Sequence, residues 1–393
     1  MISPERALAQ LRIALVIEDV GLGGGQERVI AELAPRLARS HEVHLFCFSV
    51  EGIELSGITV HRLRPPPLPQ GPRAIWFAAA SSLRIRPGRF DLVLSQGGNT
   101  LVQDAALVHT MHREKHRARA RLARHQGHGS IGRRAWESFR DSIFARLERR
   151  AALRCRSRLI AISPTVGDYL SREYDLLPEE IHIVRNGVDH TTFRPDLQER
   201  ARERLRPQLG LAAHEFVAVF MGGRWFEKGL PQTIEALAIA DSSIRLMVVG
   251  RGDIERFLRL ADKLGVRERV GFVSHVDCPQ DYLAMADCLV HPNPIEPFGL
   301  AVLEAAACGL PLLAARSGVA LDLIEEGVTG LFIEHRPTSI AAGLDHLASD
   351  PEALRKMRSA VHRRSQQFSW DIHARRIEEL LVQFAQKREG DLP

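Results

Sequence analysis

The 393 residues read as an α/β chain made of two Rossmann-like halves with parallel sheets, and three observations predict this. Short apolar runs alternate with amphipathic helical stretches at βαβ spacing. The first run leads into a glycine-rich turn, and the alternation stops and restarts near position 196. In order, a strand over 11–17 precedes the turn Gly21–Gly25, a helix over 26–39 and a strand over 42–48. Pro65, Pro66, Pro67 and Pro69 interrupt the pattern, and 91–95 restores it, ending in Gln96-Gly97-Gly98-Asn99. A strand over 158–162, the cap Ser163-Pro164 and a strand over 181–184 complete the first half. After a polar crossing at 196–209, strands are expected at 216–220, 245–249, 270–273, 288–291 and 311–314, with helices between them and a last amphipathic helix over 371–387.

A hydrophobic content of 45% is enough for a core in each half. Five cysteines without CxxC spacing argue against a disulfide framework and against a zinc site, and a reducing cytoplasm fits them best. No run approaches the roughly 20 apolar residues of a membrane span, and no signal peptide is expected.

The net charge of +5 is uneven. Between His112 and Arg158, fifteen Lys and Arg residues meet only Glu114, Glu137, Asp141 and Glu148. With Trp136, Phe139, Ile143, Phe144 and Leu147 at helical spacings, segment 112–158 reads as one or two basic amphipathic helices able to lie on an anionic membrane. A solvated arginine-rich face is the alternative. Nucleic acid is a third and weaker option and is not expected as a partner, because no recognition helix, stacking platform or zinc finger accompanies the charge.

The richest motif is Asn293-Pro-Ile-Glu296-Pro-Phe298-Gly299-Leu300-Ala-Val-Leu-Glu304, which continues to Gly309-Leu-Pro311. Pro297 suits a first helical turn and Gly309 a left-handed stop, so a helix is expected over 298–308, with Glu296 before it and Glu304 inside it. Unpaired amides at a helix start attract phosphate, and a carboxylate two turns in can accept hydrogen bonds from a ribose diol. Gly222-Gly223-Arg224-Trp225-Phe226-Glu227-Lys228-Gly229 follows a strand and offers Arg224 and Lys228 to neutralise a departing diphosphate. Gly250 and Gly252, in Gly250-Arg251-Gly252-Asp253, end another strand and would lie near a nucleotide. The turn Gly23-Gly24-Gly25 is not a nicotinamide motif, since it lacks the GxGxxG pattern and an acidic residue at the end of the second strand.

These motifs, with Asn186-Gly187-Val188-Asp189, resemble those of the retaining glycosyltransferases of family 4, whose Glu-x7-Glu signature Glu296 and Glu304 match. The spacing of Arg224 and Lys228 is one residue shorter than usual there, as in transferases that build the lipopolysaccharide core. The resemblance implies a GT-B fold, with two Rossmann-like domains facing a cleft. Residues 1–195 would be the acceptor-side domain with the insertion at about 112–158, residues 196–370 the donor-binding domain, and 371–393 a helix returning to the first. Glu296 would orient the sugar. Phe298, Gly299, Leu300 and Glu304, with Arg224, Lys228, Gly250 and Gly252, would bind the donor, and Gly23, Gly24, Gly25 and Asp104 would lie on the acceptor side. His109 or His112 would contact the sugar, His109 being slightly favoured.

Neither a cofactor nor a metal is expected, and the donor would be a nucleotide sugar, with a UDP sugar favoured. The implied activity is retaining transfer of a hexose to a glycolipid or polysaccharide acceptor of the cell envelope, such as lipopolysaccharide core or exopolysaccharide. The enzyme would work in the cytoplasm, peripheral to the inner face of the plasma membrane. The alternatives are another GT-B enzyme, such as a sugar-nucleotide epimerase or a small-acceptor transferase, and a non-catalytic nucleotide-sugar-binding scaffold.

Overall fold

The structure is a computed structural model and describes residues 10–86, 88–126, 131–274 and 276–390. The chain opens with β1 (Arg12–Val16), β2 (Asp19–Val20), α1 (Gly25–Leu37), β3 (Glu42–Cys47), β4 (Ser49–Val50), β5 (Ile58–Arg62) and α2 (Gln70–Arg84). It continues through β6 (Leu92–Gln96), β7 (Ala105–Val108), α3 (His112–Gln126), α4 (Ile131–Arg154), β8 (Leu159–Ala161), α5 (Pro164–Tyr174) and β9 (Ile181–Ile183). Next come α6 (Gln198–Gln208), β10 (Phe216–Met221), α7 (Leu230–Leu237), β11 (Ile244–Val249), α8 (Ile254–Lys263), β12 (Val270–Val273), α9 (Pro279–Met285) and β13 (Cys288–His291). The last elements are α10 (Leu300–Ala307), β14 (Leu312–Ala314), α11 (Ala320–Leu323), β15 (Gly330–Phe332), α12 (Pro337–Ser349), α13 (Pro351–Ser365) and α14 (Trp370–Gly390).

Two compact units result. Residues 1–186 with 370–393 form the first, and residues 187–369 the second. The division falls between Asn186 and Gly187, nine residues before the boundary read from sequence, because Val188 already bridges to Ser369 and donates to the Phe368 carbonyl within the second unit.

The sheet of the first unit runs β5-β3-β1-β6-β7-β8-β9, with every pair parallel. A small parallel pair, β2-β4, stands beyond its rim. Ile13, Ala14, Leu15 and Val16 are fully buried, as expected of a central strand covered on both faces. Helix α14 belongs to this unit. His41 faces Glu378 at 3.1 Å, Arg36 donates to Asp371 at 2.7 Å, and His373 Nδ1 donates to the Arg185 carbonyl at 2.9 Å.

The second unit has the sheet β12-β11-β10-β13-β14-β15, again all parallel. In both sheets the strand order reverses once, between β1 and β6 and between β10 and β13. Ligands of open α/β sheets bind outside the strand ends at such a reversal.

The basic segment forms two helices, but its apolar residues divide between two roles. Ile143 is buried close to Gly71 of α2, Leu147 lies against Gly98, and Phe144 stacks on His112. Trp136 and Phe139, 39% and 50% exposed, point to solvent instead. The expected continuous apolar face is therefore shorter, because α4 uses part of it to pack on α2 and on the loop after β6. Residues 127–130 of this segment lie outside the described residues.

Candidate functional site

In the second unit, the loops after β10 and β13 meet at the reversal. Gly229 sits so close to Pro292 and His335 that a β-carbon there would come within 2.9 Å of Pro292 Cγ. His335 Nδ1 donates to the Pro292 carbonyl at 2.7 Å and braces the junction. Lys228 precedes Gly229, and its Nζ lies over Gly222, 2.9 Å from where a β-carbon would stand. Among the described residues no carboxylate pairs with this ammonium.

Arg224 behaves differently. Its φ of +53° is uncommon for a residue with a side chain, and the guanidinium points outward, 62% exposed and 3.9 Å from Glu227. The turn is set by Trp225, which is buried, donates from Nε1 to the Gly222 carbonyl at 2.7 Å and packs on Phe257 and Phe272. Gly250 and Gly252 complete the arrangement: a β-carbon on Gly250 would lie 2.7 Å from Gly222 C, and one on Gly252 would lie 2.7 Å from Trp225 Cζ3.

The loop after β13 carries the acidic pair. Glu296 Oε2 accepts from Asn293 Nδ2 at 2.9 Å and, in the tautomer that protonates Nε2, from His291 at 3.1 Å. Ser317 Oγ donates to the Asn293 carbonyl at 2.7 Å, and the Val319 amide to the Phe298 carbonyl at 2.7 Å, so the loop is held from behind. Gly299, at φ +89°, is the N-cap of α10 and supplies no side-chain cap. The helix consequently spans Leu300–Ala307 and not 298–308, since a left-handed residue cannot lie within a right-handed helix. Pro297 and Phe298 precede it, Phe298 buried, and Glu296 lies beside its N-cap, with Cγ 3.2 Å from where a β-carbon on Gly299 would stand. Glu304 is in the helix, 8% exposed.

Sequence reasoning gave no role to His291, Asn293 or Trp225. The signal for the first two was their position at the end of a buried strand, five and three residues before a carboxylate.

In the first unit, the glycine turn joins β2 to α1. Gly24 is the N-cap, the Glu27 carboxylate folds over it, and Gly23 has open space around it. Gln26 Nε2 donates to Thr110 Oγ1 at 2.5 Å, which ties this turn to the segment after β7 that holds both histidines. His109 is buried, and burial, reinforced by nearby His373, pushes its pKa down to about 3. It is a neutral imidazole at neutral pH, with Nε2 lacking a hydrogen-bond partner among the described residues. His112 begins α3 and stacks on Phe144 at 5.2 Å. Asp104 stands apart from the other candidates: it precedes β7, where its carboxylate accepts from the Val93 amide at 2.9 Å, at the opposite end of the strand from His109. It fastens β7 to β6.

Among the described residues no group of three His, Cys, Asp or Glu side chains is placed to hold a metal ion. No helix among them is long and apolar enough to cross a membrane.

Comparison with known proteins gives this arrangement a family. Residues 23–192 match the model of Glycosyltransferase Family 4, and residues 201–364 that of Glycosyl transferases group 1. The D-inositol 3-phosphate glycosyltransferase of Jonesia denitrificans is 30% identical over 308 residues, covering 73% of this chain and 70% of its own. The D-inositol 3-phosphate glycosyltransferase 1 of Catenulispora acidiphila is 31% identical over 256 residues, covering 61% and 60%. With the corresponding Rhodococcus opacus protein the match spans half of that relative's length.

Two solved structures share the fold. WaaG, a glycosyltransferase involved in lipopolysaccharide biosynthesis, superposes with a TM-score of 0.76 at 20% identity over 94% of this chain and 99% of its own. Anabaena HepE, solved in complex with UDP and glucose, does so with 0.70 at 19% identity over 98% and 100%. The chain belongs to the GT-B glycosyltransferases, with a family 4 first half and a group 1 second half.

Proposed function

We propose that the protein transfers a hexose, with retention at the anomeric carbon, from a UDP sugar to a glycolipid acceptor of the cell envelope. The observation that carries this reading is the reversal point of the second unit, where Lys228 lies over Gly222 and the adjacent Gly229 packs on Pro292, four residues before Glu296. In the reaction the bond from the anomeric carbon to the β-phosphate oxygen breaks, and the acceptor hydroxyl oxygen bonds to that carbon. The acceptor's proton passes to the departing diphosphate. Lys228 meets the negative charge that grows on the β-phosphate, which makes its contribution larger in the transition state than in the bound donor.

Glu304, inside the helix, is the acceptor for the ribose hydroxyls, while Glu296, fixed by His291 and Asn293, orients the sugar. Gly250, Gly252, Phe298, Gly299 and Leu300 shape the surface around the donor. Arg224 has a lesser share, since it is turned outward. On the acceptor side, Gly23, Gly24 and Gly25 give a backbone a hydroxyl can approach, and neutral His109 is favoured over His112 as the sugar contact. No metal is needed for this scheme, because the cation at the leaving group is an ammonium.

Membrane attachment is supported by exposed Trp136 and Phe139 beside a strongly basic pair of helices. A small-acceptor transferase is the second reading, favoured by the names of the sequence relatives.

The test is donor binding followed by turnover. UDP-, GDP- and ADP-sugars are screened for thermal stabilisation, and the best donor is tried again with Glu304→Ala and Lys228→Ala. Glu304→Ala should lose the stabilisation, and Lys228→Ala should reduce kcat for donor turnover by about 100-fold. Stabilisation and turnover at wild-type levels in both variants would place the site elsewhere.

A further inference from the structure

We propose that the groove between α3 and α4 in the first unit is a binding site for a phosphoryl anion, a phosphate monoester or diphosphate. The proposal stands on this unit alone and does not depend on the donor site. The groove encloses about 320 Å3 and is lined by Arg113, His116 and Arg117 of α3 and by Asp141, Ser142 and Arg146 of α4.

Its charges do not balance. Glu173 of α5, 6% exposed, is shared by Arg117, by Arg113 at 3.7 Å and by Arg172 at 3.9 Å. Asp141 is shared by Arg119 at 3.1 Å, Arg140 at 2.8 Å and His116 at 3.5 Å. Each carboxylate therefore serves two or three cations, and even with Glu114 paired to Arg172 the arginines outnumber the acids around the groove. Arg146 is exposed, and among the described residues no carboxylate pairs with it.

The same ion pairs organise the cations for a ligand. Glu173 holds Arg113 and Arg117 from below while leaving them 40% and 53% exposed. Arg113 lies in addition over the Tyr174 ring at 5.6 Å. A guanidinium fixed in this way loses little side-chain freedom when its remaining N–H groups meet a second anion. Arg113 and Arg117 approach from one helix and Arg146 from the other, which suits an anion with several oxygens in different directions. A phosphoryl group has that shape, and a single carboxylate does not.

The groove also stands at the functional end of the sheet. Helix α3 starts four residues after β7 ends, on the segment that Thr110 ties to Gln26 beside the glycine turn. A phosphate-bearing acceptor could be anchored there. The phosphate belongs to a lipid headgroup or to a free phosphorylated sugar.

The experiment titrates inorganic pyrophosphate into the full-length protein by calorimetry, in wild type, Arg146→Gln, Arg113→Gln/Arg146→Gln and Arg149→Gln/Arg150→Gln. The Arg113/Arg146 pair should weaken one pyrophosphate site by about tenfold or more, as expected for lost charged hydrogen bonds. Arg146→Gln removes a side chain with no carboxylate partner among the described residues, so it tests the groove without disturbing the fold, and it should lower affinity in the same direction. The Arg149/Arg150 pair removes equal charge from exposed positions of α4 and should leave affinity near wild type.

Sedimentation with phosphatidylglycerol-containing vesicles separates the sources. Release of wild type by pyrophosphate, together with loss of retention in the Arg113/Arg146 variant, assigns a headgroup. Vesicle retention unaltered by the variant, with pyrophosphate affinity lost, assigns a free phosphate. Wild-type pyrophosphate affinity in the Arg113/Arg146 variant, or an equal loss in both double variants, overturns the site.

Discussion

Both units place glycines after the central strands of a parallel sheet, yet the two sets answer to different requirements. In the second unit the geometry of the fold itself demands them. Gly222, Gly229, Gly250 and Gly299 have φ of +112°, +90°, +137° and +89°, and the loops after β10 and β11 touch so closely that Gly250 has no room for a β-carbon. In the first unit Gly23 has nothing within 4 Å of a β-carbon position, and neither Gly23 nor Gly24 adopts a positive φ. Glycine is a folding constraint in these loops of the second unit, as it is at Gly98 against Leu147 in the first, whereas the fold leaves Gly23 unexplained.

The sharpest way to break this contrast is Gly250→Ala. The substitution combines a strained φ with a collision against the Gly222 backbone, so the second unit should lose about 3 kcal/mol or more, read as a lower midpoint in denaturant unfolding. A midpoint equal to that of wild type would show that the two loops separate at little cost.

A second contrast concerns protons. The buried carboxyl of Glu148, in the first unit, accepts from Tyr169 Oη and from Tyr174 Oη at 2.6 Å and takes the His112 amide at the start of α3. Burial raises its pKa to about 7 against the opposing pull of these hydrogen bonds. The folded unit thus holds the proton more tightly than the unfolded chain. The associated stability is fully present below the unfolded value near 4.5 and is lost as pH rises through about 7.

His109 and His373 run the other way. Burial lowers them to about 3 and about 4, so their contribution is present above the unfolded value of 6.5 and is lost as pH falls through those values. The first unit should be most stable on the slightly acidic side of neutrality and should lose roughly 2 kcal/mol between pH 5 and 8 through Glu148. Melting Glu148→Gln across that range should show a flatter alkaline limb, and an unchanged limb would clear Glu148 of the effect.

What the sequence revealed follows from the same physics. Buried parallel strands such as β1, β6 and β10 are continuous apolar runs and were legible, and so was the placement of Glu296 before α10 and Glu304 inside it, since helix starts are set by local geometry. Besides the two-residue strands β2 and β4, the strands that escaped were β5, β7 and β15. The first is a half-exposed edge strand, Ala105–Val108 is alanine-rich, and Gly330–Phe332 has only three residues. Missing β7 hid the fact that Asp104 and His109 stand at opposite ends of one strand. The supports of Glu296 were equally hidden, because His291 reaches the carboxylate across a loop whose path depends on Gly299 and on the Gly318–Phe298 contact.

The smallest effect on stability should come from Gly23→Ala, and it bears most directly on the comparison between the units. Its backbone is one that alanine adopts, and its surroundings are open, so the substitution should change stability by no more than about 0.5 kcal/mol. If the turn serves the acceptor, the added methyl stands where a hydroxyl must approach the backbone, and kcat/KM for transfer should fall while the melting temperature and donor binding stay constant. Loss of stability would mean that Gly23 is a folding constraint like Gly250. Full activity with full stability would mean that the acceptor approaches the first unit elsewhere, leaving the groove between α3 and α4 as the place to look for it.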